Sequence, residues 1–217
     1  TNYLYGEDLH TNLTLTRAQQ DLAFEVTRAV RDAVGPEFDM MIETHAMLNF
    51  EVAVKMAERL APLGVTWYEE PAGPESARTL RAFRERLPSN VPICVGERHY
   101  TRHGFRPVLE NHVCDVIMPD ITRCGGPSEM KRIATMAEAY GVLVAPHNPN
   151  GPLSTLASAH VCASIPNFFR CEFMVNDVPW RDQVITHPLD VRNGVLRLSD
   201  RPGLGVDLIE QELAKHP

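Results

Sequence analysis

The chain has 217 residues, of which 44% are hydrophobic and 23% charged, a composition typical of a soluble globular protein and not of a disordered or fibrous one. Its 21 Lys and Arg against 28 Asp and Glu give a formal net charge of −7, which argues against binding to nucleic acid or to an anionic membrane. No apolar run reaches the roughly 18 residues that a membrane helix needs, and the first residues lack a signal-peptide pattern. We therefore expect a cytoplasmic protein.

Several classes of cofactor site have no counterpart in the sequence. Neither a P-loop nor a G-x-G-x-x-G motif occurs, and no lysine follows a predicted strand, so nucleotide and Schiff-base chemistry are poorly supported. The cysteines are odd in number and none forms a C-x-x-C pair, which argues against a disulfide framework and a thiolate zinc site. We interpret them as buried small hydrophobes: Cys94, Cys114, Cys124, Cys162 and Cys171.

Predicted helices alternate with predicted strands along the chain. Helical periodicity covers residues 17–34, 51–60, 75–87, 127–140 and 153–164. Six short apolar runs indicate buried strands at residues 40–42, 65–68, 93–95, 116–118, 143–145 and 168–169. The Gly125-Gly126 pair indicates a tight turn before the helix that opens with Pro127. Beyond Glu172 the repeat fades, and residues 195–198 and 203–206 suggest short strands or a terminal extension. This alternation predicts an α/β protein with a parallel sheet covered by helices.

Ionisable side chains follow the six predicted strands at intervals of 23 to 28 residues: Glu43, Glu69, Glu97, Asp120, His147 and Glu172. In a closed (β/α)₈ barrel the carboxyl ends of all strands surround one mouth, whereas an open doubly wound sheet would spread them along an edge. The spacing favours the barrel. Because such a barrel has eight strands and only six are found, we expect its amino-terminal part to lie outside this chain.

Three of these residues, Glu43, Glu69 and Glu97, predict a metal site. Three carboxylates at successive strand ends repel one another unless a cation offsets their charge. Ligation by oxygen alone favours Mg²⁺, with Mn²⁺ as a second choice. The alternative is that each Glu is a solvated loop residue or a helix cap.

The next two strand ends predict a base. Asp120 would accept a hydrogen bond from one nitrogen of His147, fix its tautomer and make the other nitrogen more basic. Glu172 would polarise or donate to a substrate oxygen if its anionic neighbours keep it protonated. His45 comes two residues after Glu43 and would share its face, as a second proton donor or acceptor, if that strand continues. The alternatives are that His147 only binds a loop carbonyl, that Glu172 is a surface charge and that His45 is a packing residue.

The order and spacing of six segments resemble the enolase superfamily, in particular the acid-sugar dehydratases of the galactonate dehydratase type in its mandelate racemase subgroup. The segments are Ile42-Glu43-Thr44-His45, Trp67-Tyr68-Glu69-Glu70-Pro71, Val95-Gly96-Glu97-Arg98, Met118-Pro119-Asp120, Cys124-Gly125-Gly126 and Ala145-Pro146-His147. The resemblance implies a modified TIM-type barrel in residues 1–190 and a carboxy-terminal extension in residues 191–217 that packs against a capping domain. It also implies a homo-oligomer.

The resemblance implies site roles as well. Glu43, Glu69 and Glu97 would bind Mg²⁺, with Glu70 as an adjacent support. Asp120 and His147 would form the catalytic pair. Glu172 would lie near the substrate carboxylate, and His45 would be the acid that helps to expel hydroxide. Three residues depart from the family pattern: Glu43 stands where many members have Asp, and Ala46-Met47 stand where related dehydratases often have Gly-Arg.

These observations predict a hydro-lyase that converts a sugar acid, an aldonate or aldarate, to its 2-keto-3-deoxy product through an enediolate. A racemase, epimerase or cycloisomerase that uses the same enediolate is the alternative among enzymes. The non-enzyme alternative is an inactive barrel remnant that serves as an assembly or binding module.

Overall fold

The computed structural model describes residues 14–73, 76–175 and 177–216, and the chain forms two compact units. The first unit contains residues 14–73, 76–96 and 103–117, and the second contains residues 97–102, 118–175 and 177–216. Within these ranges, no helix combines the length and the apolar character that crossing a membrane requires. The first residues of the predicted barrel part, 1–13, and the start of the predicted third helix, Glu75, lie outside the described residues.

The first unit contains a parallel sheet with helices between its strands. Its strands pair in chain order: β1 (Met41–Glu43), β2 (Trp67–Glu69), β3 (Ile93–Val95) and β4 (Val116–Ile117). Its helices are α1 (Arg17–Val34), α2 (Phe50–Leu60), α3 (Ala77–Arg86) and residues 103–110 of α4 (Thr101–Glu110). The first four strand predictions and the first three helix predictions are therefore confirmed. Helix α4 is missing from the prediction because Gly104 and Pro107 interrupt its sequence with residues that disfavour helices.

Local sequence explains where the helices of this unit begin and what they bury. Thr16 and Gln19 form a reciprocal capping box at the start of α1, and the Asn49 side chain caps α2 by accepting a hydrogen bond from the Val52 N–H. Strands β2 and β3 are buried along their whole length, as expected for a parallel sheet with helices on it. The Phe83 ring of α3 lies 6.1 Å from the ring of Tyr68, which anchors this helix on β2.

The second unit contains β5 (Leu143–Val144), with α5 (Gly126–Ala139) packed against it, and α6 (Pro152–Cys162) packed against α5. Gly125 and Gly126 have φ angles of 113° and 82°, so the turn predicted before Pro127 is confirmed. The sixth predicted strand is wrong, because Phe168 makes a single parallel bridge to Val144. The next hydrogen bond of that ladder would need a backbone N–H at residue 146, and Pro146 has none.

The carboxy-terminal part of this unit forms a hairpin and then a returning segment. Strands β6 (Asp190–Arg192) and β7 (Val195–Arg197) pair antiparallel around Asn193 and Gly194, and β7 confirms the strand predicted at residues 195–198. The strand suggested at residues 203–206 is wrong, because Gly203 and Gly205 adopt positive φ angles and turn the chain. Residues 207–209 then pair with residues 184–186 beside a 3₁₀ helix (Arg181–Val184), and α7 (Glu210–Leu213) packs against that helix.

The five cysteines are free thiols, and four of them are buried. Cys171 is only half-buried, so the prediction of buried small hydrophobes is confirmed for the other four. Burial raises the pKa of the Cys124 thiol to about 11. The four buried side chains therefore pack as apolar groups.

Candidate active site

The loop after β1 is a tight turn that keeps His45 beside Glu43. Strand β1 ends at Glu43, and the Met47 N–H donates to the Thr44 carbonyl across a turn in which His45 and Ala46 have φ angles of 51° and 54°. Positive φ is costly for residues with a side chain, about 1–3 kcal/mol each, and such strain is common at functional sites. The condition that β1 continues to His45 is therefore wrong. The backbone N–H of His45 instead donates to Glu43 Oε1.

Glu43 and Glu69 face each other across neighbouring strands of the first unit. They are direct partners in the register of β1 and β2, where strands lie about 4.8 Å apart. Glu69 is 8% exposed, and the indole N–H of Trp67 donates to its Oε2 at 2.7 Å. Trp67 and Glu69 share a face of β2 because side chains alternate along a strand. A buried carboxylate next to a second one is not a solvated loop residue, and the pair is a suitable set of oxygen ligands for a divalent cation.

Glu70 supports the loops around this carboxylate pair. It is fully buried, and its Oε1 accepts a hydrogen bond from the Gly96 N–H at 2.7 Å. Its backbone carbonyl accepts the Ala46 N–H at 2.7 Å and the Thr44 hydroxyl at 3.0 Å. Glu70 therefore ties the turn after β1 to the residue that follows β3.

Asp120 and His147 form a buried hydrogen-bonded pair in the second unit. His147 Nδ1 lies 2.9 Å from Asp120 Oδ2, and Asn150 donates to the same oxygen at 3.0 Å. The other oxygen, Oδ1, accepts the Thr122 N–H at 2.7 Å and the Thr122 hydroxyl at 2.6 Å. Burial alone would raise the pKa of Asp120, but these hydrogen bonds outweigh it and hold that pKa well below its usual value. Asp120 is thus an anion that fixes the imidazole through Nδ1.

The second nitrogen of His147 faces Glu97. His147 Nε2 lies 3.2 Å from Glu97 Oε2, and the other oxygen of Glu97 accepts a hydrogen bond from Arg98 Nε at 3.1 Å. Burial lowers the pKa of His147, but the Asp120 hydrogen bond and the charges of Glu97, Glu172 and Asp120 outweigh burial and raise this pKa above its usual value. An imidazole that an anion holds by one nitrogen, and whose pKa is raised, is suited to accept a proton on its other nitrogen.

Glu172 lies beside the loop that carries His147. Its Oε2 accepts the Asn148 N–H at 2.6 Å, and its backbone carbonyl accepts the Asn148 side-chain amide at 3.1 Å. Asn148 is fully buried and also bonds Thr155 and Ser154 of α6. The structure therefore brings Glu97, Asp120, His147 and Glu172 together in the second unit, and Glu43, Glu69 and His45 together in the first.

Three supporting residues were not found by sequence reasoning. Trp67 precedes Glu69 by two residues, and side chains two residues apart on a strand lie on the same face. This spacing could therefore have indicated that Trp67 lies beside Glu69. Asn148 and Asn150 lie in Asn-Pro-Asn-Gly, which reads as a turn, and nothing local marks either side chain as a partner of Glu172 or Asp120.

Residues 9–212 match a family profile described as Enolase C-terminal domain-like. Among curated relatives, a D-xylonate dehydratase of Haloferax volcanii is 33% identical over 91% of this chain, and a D-galactarolactone cycloisomerase of Agrobacterium fabrum is 32% identical over 91%. The matches cover 47% and 53% of these relatives, so the chain spans about half the length of the curated relatives it matches.

A solved structure agrees with this match. A mandelate racemase/muconate lactonizing enzyme-like protein from Rubrobacter xylanophilus superposes with a TM-score of 0.90 and 36% identity. The superposition covers 98% of this chain and 55% of that one. The enolase-like α/β fold predicted from the sequence is therefore confirmed.

Proposed function

The chain belongs to the enolase C-terminal domain-like family, and from that premise we propose that it takes part in the dehydration of a sugar acid to a 2-keto-3-deoxy acid. Several relatives carry the names of sugar-acid dehydratases, among them the D-xylonate dehydratase and a D-gluconate/D-galactonate dehydratase of Picrophilus torridus. The observation that carries the proposal is the buried Asp120–His147 pair, with 2.9 Å between Oδ2 and Nδ1.

We assign Glu43, Glu69 and Glu97 as the residues that hold Mg²⁺ or Mn²⁺. Carboxylate oxygens are the ligands that these ions prefer, and the Glu43–Glu69 pair in register on β1 and β2 fits a cation because it concentrates negative charge. When bound, the ion supplies positive charge. This charge would stabilise the anion that forms when the carbon next to the substrate carboxylate loses its proton.

His147 would take the proton from the carbon next to the substrate carboxylate through Nε2. Asp120 keeps Nδ1 protonated, so the electron pair of Nε2 is available and the imidazolium that forms is stabilised. The C–H electron pair enters the enediolate. The hydroxyl on the next carbon then leaves as water with a proton from His45 or His147, and the resulting enol becomes the 2-keto-3-deoxy acid. Glu172 would lie near the substrate carboxylate.

A second reaction of the same enediolate remains a candidate. The Agrobacterium fabrum relative carries the name of a cycloisomerase, and its identity to this chain is close to that of the dehydratase relative. In a cycloisomerase, racemase or epimerase the enediolate would form in the same way but would not lose water. The Asp120–His147 pair serves either outcome.

Proton NMR in D₂O of pooled aldonates and aldarates, with Mg²⁺ and with EDTA, separates the alternatives. We expect 2-keto-3-deoxy signals that appear with Mg²⁺ and not with EDTA. Loss of the C2 proton signal without elimination would replace the dehydratase with a racemase or epimerase. No change of any substrate, with protein of the native full length, would favour the non-catalytic module.

A further inference from the structure

Asn150 and Asp120 are joined by a hydrogen bond that the predicted catalytic pair does not itself require. Asn150 Nδ2 donates at 3.0 Å to Asp120 Oδ2, the same oxygen that faces His147 Nδ1 at 2.9 Å. With Thr122 bonded twice to Oδ1, the fully buried carboxylate has two donors on each oxygen. Each carboxylate oxygen has two lone pairs, so this set occupies the acceptor positions of the group.

Arg181 holds Asn150 from the 3₁₀ helix. Its Nη1 donates to the Asn150 carbonyl at 2.8 Å, while its Nε donates to Asp177 Oδ1 at 2.7 Å and its Nη2 bonds Asp177 Oδ2. The two-point pairing with Asp177 fixes the plane of the guanidinium, which a lysine could not achieve. Arg181 therefore reaches Asn150 in a defined geometry.

The carboxy-terminal segment in turn supports the 3₁₀ helix that carries Arg181. The Ile209 N–H donates to the Val184 carbonyl and the Thr186 N–H to the Asp207 carbonyl, both at 2.9 Å. The ring of His216 stacks on Trp180 with 4.2 Å between centroids. A continuous series of contacts thus runs from the last described residues to Asp120.

We propose that Asn150 is a positioning residue for the Asp120–His147 pair and that Arg181, supported by the carboxy-terminal segment, holds Asn150 in place. This inference rests on the proposed function for its effect on turnover. Asn150 holds Asp120 Oδ2 toward His147, and it does so by donation. A carboxylate of the same shape at residue 150 would place negative charge against Oδ2 and push it away.

Steady-state kinetics of Asn150→Ala and Asn150→Asp test the proposal, with Asn90→Ala as the matched control. Asn90 is exposed and its Nδ2 donates to the Ala61 carbonyl in the first unit. We expect kcat to fall about tenfold in N150A, with KM within about twofold, because residues that orient catalytic groups contribute on this scale. N150D should be slower than N150A. A purely structural role predicts the reverse, since Asp preserves the shape of Asn.

Arg181→Met and Arg181→Lys test the second contact, with Arg192→Met as control because Arg192 is exposed in β6. We expect about a threefold fall of kcat in R181M, smaller than in N150A since Arg181 acts through Asn150, and partial recovery in R181K. Equal kcat in R181M and R192M would overturn the role of Arg181.

A readout without substrate separates this proposal from the proposed function. In ¹⁵N-histidine-labelled protein, the Nδ1–H proton signal of His147, assigned by its loss in His147→Gln, reports the bond to Asp120. We expect this signal to broaden or shift in N150A and to disappear in N150D, while N90A matches the wild type. Signals unchanged in both Asn150 variants would overturn the proposal, even if the wild type proves active. A wild type without turnover would refute the proposed function and leave this test intact.

Discussion

The Glu43–Glu69 pair of the first unit and Asp120 of the second are balanced in opposite ways. In the first unit, Glu43 and Glu69 are register partners, and the His45 backbone N–H and the Trp67 indole that donate to them are neutral. In the second unit, Asp120 has two donors on each oxygen, one of them a histidine whose pKa is raised. One region concentrates charge, and the other neutralises it within the protein.

This difference assigns separate tasks to the two regions. Like charges on adjacent strands repel each other until a cation offsets them, so the first region fits the metal ion that we propose. In the second region, the Asp120–His147 pair is held by hydrogen bonds from the protein itself, which is what a pre-organised base requires.

Asp120→Asn should have the largest effect. The amide can donate to Nδ1 of His147, which then carries its proton on Nε2 and cannot accept one from substrate. We expect kcat to fall about 10³-fold or more, as for the corresponding change in a serine protease triad, with the fold retained by circular dichroism. The exposed Asp200 provides the control Asp200→Asn. A kcat within tenfold of the wild type would show that the pair is not the base.

Glu69→Gln should weaken the binding of Mg²⁺ because it removes one of the proposed carboxylate ligands. At Mg²⁺ near 100 times its Kd, we expect the wild type to gain about 2.7 kcal/mol of stability, visible as a rise in Tm of several degrees. The variant should lose this rise. Without Mg²⁺ it should be at least as stable as the wild type, because one of two facing charges is gone.

Calorimetry with and without Mg²⁺ measures both effects, and Glu58→Gln, on the exposed face of α2, is the matched control. An equal rise of Tm in the wild type and in E69Q would contradict the assignment of Glu69 as a ligand.

Glu129→Gln tests a carboxylate that the second unit balances with its own arginines. The Arg102 backbone N–H and the guanidinium groups of Arg102 and Arg132 lower the pKa of Glu129 to about 2. We expect the free energy of unfolding to fall by about 2 kcal/mol at neutral pH, which is the scale of hydrogen bonds to a charged group. Because the folded pKa is depressed, this stabilisation is present above pH 4.5 and is lost as the pH falls toward 2.

Urea unfolding at neutral pH and at about pH 3 measures this difference. The exposed Glu138 of the same helix provides the control Glu138→Gln. The difference in free energy of unfolding between the wild type and E129Q should become smaller as the pH falls. A difference that stays constant would contradict the role of the charge.

Trp67→Phe should have the smallest effect. It removes the indole donor from Glu69 Oε2 and keeps an aromatic ring in the sheet. We expect Mg²⁺ affinity to change about tenfold, since partners that orient a ligand act on this scale. Isothermal titration calorimetry measures the affinity, with Trp180→Phe as the matched control. Unchanged affinity would show that Trp67 only packs.

The strands and most helices were predictable because hydrophobic runs and helical periodicity are local signals. Strands β1 to β5 all overlap predicted apolar runs, and β1 and β2 extend one residue further, to Glu43 and Glu69. Helix α4 was missed because Gly104 and Pro107 mask it, and the sixth strand failed because a ladder depends on its partner, here Pro146. The local sequence of a strand does not identify the segment with which it pairs.

The candidate site likewise contains residues that the local sequence predicts and residues that it does not. Residues that end strands were predictable from position, and the Asp120–His147 contact follows from that prediction. His45 was placed by assuming a continued strand, whereas two positive φ angles turn the chain there. Arg181 and Asn150 are 31 residues apart, and no local pattern joins them. The metal ligands, the cytoplasmic location and the homo-oligomer stay predictions.

Exchange of the C2 proton of a turned-over sugar acid in D₂O, followed by NMR with wild-type protein and with His147→Gln, decides whether His147 is the base. We predict that the wild type exchanges or eliminates at this carbon and that H147Q loses the reaction by at least about 100-fold. The exposed His187 provides the control His187→Gln, which should match the wild type. Exchange at an undiminished rate in H147Q would contradict the assignment of His147 as the base.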